Sequence, residues 1–212
     1  MSRPESLTMG EEQIAFFYWI GDAITSWAFV ENELQALVEL CIDPGPNEIA
    51  LNALRVGFLS IEGFRSKMDF AEGLIARRFP AQKDEWGALV ARIRALSRKR
   101  NWLAHWKIRV YERNDPGRRF TLGPWIFPEP HHRQPPKRPI PPKGSIGVRE
   151  IVKYSLEFTA CAMTMNRFGA RLAGRPEPFP KSVEQPEHPP TMAALKAQIR
   201  EELARLLEPS GE

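Results

Sequence analysis

"EEQIAFFYWIGDAITSWAFVENELQALVELC", residues 11–41, is the stretch whose reading decides the fold. Its apolar residues recur as Phe16, Ile20, Ala23/Ile24, Trp27, Val30, Leu34, Leu37/Val38 and Cys41. Steps of three and four place them along one line of an α-helix. Sustained over about eight turns, the pattern predicts a helix ~45 Å long. "DPGPNE" stops it, because Pro44 and Pro46 cannot continue a helix and Asn47 can cap the next one.

Working outward, residues 48–58 read as a short helix. Ser60 is the expected cap of another, whose apolar line is Ile61, Phe64, Met68, Ala71, Leu74/Ile75 and Phe79, with Pro80 as its stop. A fourth helix starts near residues 82–84 and buries Trp86, Leu89/Val90, Ile93 and Leu96. The period then changes from 3.6 to 2: "KIRVYE", "NDPG" and "RRFTL" read as a hairpin turning at Asp115-Pro116-Gly117. Prolines dominate residues 124–143, an extended segment that completes an insertion at 106–145. A helix returns over residues 148–172 and ends at Gly174 and Pro176. Residues 175–190 form a proline-rich linker. Residues 191–207 are the last helix, amphipathic through Met192, Leu195, Ile199, Leu203 and Leu206. The expected fold class is all-α, an up-and-down helical bundle of four to five main helices over residues 11–174. It carries a small inserted β-hairpin and Pro-rich loop, and the C-terminal helix follows.

Composition narrows the function classes. The chain has 212 residues, 42% hydrophobic and 26% charged, and no apolar run reaches the ~18 residues that cross a bilayer, so no membrane role is expected. The polar, acidic opening "MSRPESLTMGEEQ" reads as neither a secretory signal nor a transit peptide. Cys41 and Cys161 stand among apolar residues, as buried thiols in a reducing, cytoplasmic setting do. The four histidines and two cysteines show no CxxC or HxxxH spacing, and His131 and His132 lie among prolines, so neither metal nor cofactor is expected. Clustered carboxylates for a two-metal nuclease and a Gly-rich phosphate loop are both missing from the sequence.

Charge is unevenly placed. Net charge is +4, yet residues 92–119 hold ten Lys or Arg against two acids, Glu112 and Asp115. At the centre is "SRKRNWLAHWKIRV", residues 97–110. Arg100 falls four residues after Leu96 and seven after Ile93, so it continues the apolar line of the fourth helix. Asn101 and His105 share a second line with Arg98 and Arg94, and Trp102 and Trp106 share a third. Basic residues complement a helix C-terminus, which explains the run without any function. A charge on the apolar line is costly unless paired. Glu31, on the apolar line of the first helix, is the candidate partner of Arg100, with a solvated Glu31 as the alternative. Lys67, beside Phe64 and Met68, reads as a snorkelling side chain.

"RNWLAH", residues 100–105, resembles the R-x4-6-H motif of the HEPN superfamily, including the polar residue directly after the arginine. The helical bundle and the long first helix with "WAFVENELQAL" are similar as well. Trp106 departs from the small residue that often follows the histidine, and the insertion at 106–145 is longer than in compact members.

The resemblance implies a metal-independent endoribonuclease, a toxin or defence component, in which a homodimer brings two motif helices over one cleft. It makes His105 the acid/base, Arg100 the phosphate holder and Asn101 an orienting group. Its partners would be RNA and an antitoxin or other protein. Arg94, Arg98, Lys99, Lys107 and Arg109 are the candidate phosphate contacts, and Trp102 and Trp106 the candidate base-stacking rings. Two other readings stand beside it. One is a non-catalytic HEPN-like dimeric module binding RNA, nucleotide or protein. The other is a helical adaptor that recruits partners through its proline-rich segments and C-terminal helix.

Overall fold

A computed structural model describes residues 8–41, 48–110, 120–123, 145–176 and 197. Five helices carry it: α1 (Met9–Cys41), α2 (Glu48–Ser60), α3 (Phe64–Arg78), α4 (Lys83–His105) and α5 (Val148–Leu172). Two short strands, β1 (Lys107–Val110) and β2 (Phe120–Gly123), pair antiparallel with Lys107 opposite Gly123 and Val110 opposite Phe120. The all-α bundle with an inserted hairpin is therefore the observed class. The hairpin turn, most of the proline-rich segment and all but Ala197 of the expected C-terminal helix lie outside the described residues.

Local chemistry accounts for most of the boundaries. α1 begins two residues before the 11–41 stretch. The Thr8 backbone N–H donates to Glu11 Oε2 (2.7 Å) and the Glu11 N–H donates to Thr8 Oγ1 (3.2 Å), a reciprocal cap. α2 runs to Ser60, so Ser60 closes that helix instead of capping the next; its hydroxyl donates to the Val56 carbonyl at 2.7 Å, and Gly63 takes the cap position of α3. A 3-10 turn at Pro80–Gln82 reverses the chain into α4. α5 is opened by Glu150, whose Oε2 accepts the Gly147 N–H at 2.9 Å, and closed by Gly174, whose φ of 63° is open mainly to glycine.

Directions alternate along the chain. Ser155 donates to Asp22, and Asn166 donates to both oxygens of Glu33 at 3.0 Å. Each pair is 133 residues apart, so α1 and α5 run parallel in a constant register. α4 runs against α5: Trp102 lies near Tyr154 at one end (ring centroids 6.4 Å), and Trp86 stacks on Phe168 (5.6 Å) at the other. Arg55 pairs with Glu39 as α2 returns along α1, and Arg94 pairs with Asp69 and Glu72 as α4 returns along α3. The result is an up-and-down bundle.

Its core is one continuous cluster. Phe16, Trp27, Leu34 and Leu37 of α1 meet Met68 and Ile75 of α3, Trp86 and Ile93 of α4, and Phe158, Met165 and Phe168 of α5. Trp27 sits edge-on to Phe64 (4.8 Å) and to Phe158 (5.2 Å), locking α1, α3 and α5 at one level. Gly169 lets α5 lie close to α1: a Cβ there would stand 3.1 Å from a methyl of Leu37, which would have to give by a few tenths of an ångström. The hairpin covers the opposite end through Phe120, whose ring centroid is 6.0 Å from that of Phe16. Among the described residues no helix is long and apolar enough to cross a membrane.

This register places the α4 motif. With α4 antiparallel to α5 and α5 parallel to α1, Arg100 to His105 lie level with Tyr18 to Ala23 of α1. α3 begins at Phe64, level with Trp27, and so does not extend along α4 as far as the motif.

The candidate site at the end of helix α4

The last two turns of α4 hold every residue of the motif, and their surroundings differ sharply from one to the next. Arg100 is half-buried on the inward line of the helix, as Leu96 before it requires. Its Nη1 donates to Asn101 Oδ1 at 3.4 Å, beyond the usual N–H···O range. The expected pairing with Glu31 is not formed. Glu31 instead accepts the indole N–H of Trp27 at 2.6 Å, one turn back on its own helix. Because Trp27 is buried, its N–H needs an acceptor, and Glu31 at i+4 is already in reach. Arg100 therefore holds a half-buried guanidinium with no carboxylate partner among the described residues.

Asn101 is exposed and touches Arg100. His105 is the last residue of α4, exposed and without a hydrogen-bond partner among the described residues. The backbone turns out of the helix at Trp106, whose N–H still donates to the Trp102 carbonyl at 2.9 Å. The Trp106 ring stacks on Trp102 (centroids 5.2 Å, 28° between planes), and Trp102 in turn rests towards Tyr154 of α5. Trp106 is thereby drawn to the α5 side, along the Trp102 line, and both rings stay half-buried.

The neighbouring cations divide into two sets. Arg94 is held between Asp69 (2.7 Å) and Glu72 (2.6 Å) on α3. Lys99 pairs with Glu157 of α5 and lies over the Tyr154 ring at 4.9 Å. Both were expected to meet phosphate; in the fold their charges join helices. Arg98 is exposed and has no partner among the described residues, and Lys107 is exposed at the start of β1. Arg109 stands opposite Thr121 in the hairpin, and its side chain lies outside what is described. Lys67 is half-buried and places its ammonium 5.6 Å over Phe58, a cation–π contact.

The sequence did not point to a polar seam between α1 and α5. Thr159 donates to Ser26 at 3.2 Å, Ser26 and Ser155 share a hydrogen bond of 3.1 Å, and Ser155 donates to Asp22. Small hydroxyl residues on two different helices leave no periodic signal, so only their juxtaposition identifies the seam. Among the described residues no group of three or more His, Cys, Asp or Glu could hold a metal ion. Burial pushes both thiols, Cys41 and Cys161, up to about 11. Comparison of the chain with protein-family models, curated proteins and solved structures returned no match.

Proposed function

We propose that the chain is a metal-independent endoribonuclease of HEPN type that works as a homodimer. The observation that carries the proposal is Arg100: a half-buried arginine with no carboxylate, one residue from Asn101 and on the same helix end as an unengaged His105. Lys99, the residue before it, and Arg94, under two turns earlier, are neutralised within the fold, so the site's selectivity for an external anion rests on Arg100 and Arg98.

The chemistry follows from these groups. The ribose 2′-oxygen attacks the adjacent phosphorus, a new P–O2′ bond forms and the P–O5′ bond breaks. His105 takes the 2′-OH proton, and the corresponding histidine of a second copy gives a proton to the leaving 5′-oxygen. An imidazole can serve as acid or base in such a transfer, typically for about 10²–10⁴-fold each. Arg100 offers a planar fork to the phosphate oxygens as negative charge builds on them. The products are a 2′,3′-cyclic phosphate and a 5′-OH, and DNA, lacking the nucleophile, is not cut.

A homodimer is supported by α1. Ile14, Phe17, Tyr18, Ile24 and Phe29 are exposed along its outer side, in a line that runs past the level of the motif at both ends, and no charged residue interrupts that line. An antiparallel second copy centred on Gly21 would set Ile14 against Ala28 and Phe17 against Thr25, large against small. That face also favours a second reading, a dimeric RNA-, nucleotide- or protein-binding module without catalysis, because it needs no chemistry from His105. The test is cleavage of a mixed RNA pool in EDTA by wild type, His105→Ala and Arg100→Ala, with light scattering on each. Cyclic-phosphate ends and a loss of at least ~100-fold in His105→Ala support the nuclease. An inert wild type, or variants that cut equally well, sinks it.

A further inference from the structure

α2 is the outermost helix of the bundle, and it is covered on one side only. Phe58 is buried and Leu54 is partly buried towards the core, while Arg55 ties the helix to Glu39 of α1. On the opposite side Ile49 is 81% exposed, Val56 64% and Leu59 57%, with Ala53, Gly57 and Ser60 between them. Phe70 of α3, whose ring lies 6.1 Å from Phe58, adds a further exposed ring at the edge. Glu48 and Arg55 are the only charged residues in α2, and among the residues whose side chains are described its outer side is uncharged and mainly apolar, with Asn52 and Ser60 as its polar members. A 13-residue helix is marginal without packing, and half of this one has none among the described residues.

We propose that this face is the docking site of the chain's own C-terminal segment, residues 191–207. Position supports it. α5 ends beside the end of α1, where Gly169 abuts Leu37, and the chain leaves the described residues at Pro176 on the same end of the bundle from which α2 departs. Fourteen residues, 177–190, connect Pro176 to the segment. At ~3.3 Å each they can span up to ~46 Å, more than twice the ~20 Å length of α2.

Pattern supports it too. Met192, Leu195, Ile199, Leu203 and Leu206 form one apolar line about 21 Å long, matching α2, and Lys196, Arg200, Glu201, Glu202 and Arg205 fall off it. Ala197, the one described residue of the segment, is helical.

Area separates an internal occupant from a free partner. Taking ~150–200 Å² for each full side chain, the exposed fractions of Ile49, Val56, Leu59 and Phe70 amount to roughly 400 Å². That is about half of the ~800 Å² per partner in a standard complex. A face this small holds a tethered segment, whose effective concentration reaches the millimolar range, far better than a separate molecule.

The test is amide hydrogen exchange on the full chain, wild type beside Leu195→Glu/Ile199→Glu. Because these substitutions lie outside the bundle, α1, α4 and α5 should exchange as in wild type. The amides of α2 should exchange about tenfold faster or more. The reciprocal pair Ile49→Glu/Val56→Glu should deprotect residues 191–207 without touching α5. Unchanged α2 exchange in the C-terminal variant would overturn the proposal. Wild-type protection of α2 that disappears on about a hundredfold dilution would overturn it as well, because it would make the occupant a second copy.

Discussion

Replacing Arg100 by methionine separates a built anion site from a structural arginine. Arginine on an inward line usually belongs to a buried ion pair, and removing one member of such a pair costs about 3–5 kcal/mol. Here the only bond lost among the described residues is the 3.4 Å contact to Asn101, which is too long to contribute more than about 0.5 kcal/mol. Methionine keeps the length of the side chain and relieves the partial desolvation of an unpaired guanidinium, a gain of about 0–1 kcal/mol. The two terms nearly cancel or leave the variant slightly more stable. For a chain of this size 1 kcal/mol shifts Tm by about 2–4 °C, so Arg100→Met should melt within ~4 °C of wild type or above it. RNA cleavage should fall by about 10²–10³-fold, the usual effect of deleting one electrostatic stabiliser of a transition state. The assay is a thermal melt followed by circular dichroism, paired with initial cleavage rates on the same preparation. A Tm drop of 10 °C or more, on the order of 3 kcal/mol, would show that Arg100 holds the bundle together and refute the reasoning.

Three further outcomes follow from the packing and the charges. Phe158 is fully buried against Trp27, so Phe158→Ala should lose about 3–5 kcal/mol in urea unfolding, and a loss under 1 kcal/mol would mean a loosely packed core. Glu33 is held above the usual carboxylate range by burial, partly offset by its bonds from Asn166. An acid with a raised folded pKa opposes folding when ionised, and that opposition fades as pH falls through its folded pKa. Glu33→Gln should therefore stabilise at pH 7 and converge with wild type in acid; equal stability at both pH values would contradict it. With thiols near 11, Cys41 and Cys161 are about one part in a thousand thiolate at pH 8. Both should resist an alkylating reagent in the native chain and react on unfolding, which mass spectrometry counts directly.

The helices were legible because their signals are local. A period of 3.6 runs through α1 and α5, Pro80 and Gly174 mark ends, and the switch to period 2 after Trp106 announces β1 and β2. Errors arose where two local signals compete. Ser60 reads as a cap, yet the apolar pattern of α2 continues through Leu59 and the hydroxyl turns back onto Val56. Ile24 belongs to the apolar line of α1 by spacing but is exposed, because α3 begins at the level of Trp27 and leaves the turn before it uncovered.

Within the site, sequence determined which groups share one helix end. Arg100, Asn101 and His105 fall in the last two turns of one helix, with about 140° of rotation between Arg100 and His105. It did not determine which charges are free. Arg94, Lys99 and Arg100 look alike in the sequence, and the first two meet Asp69, Glu72 and Glu157 on helices up to 58 residues away. Glu31 lay on the right face to pair with Arg100, yet its own turn supplied the Trp27 N–H first. Helical periodicity is decided within four residues of chain. The partner of each charge depends on the axial register and rotation of neighbouring helices, and only the packing of the whole bundle sets those.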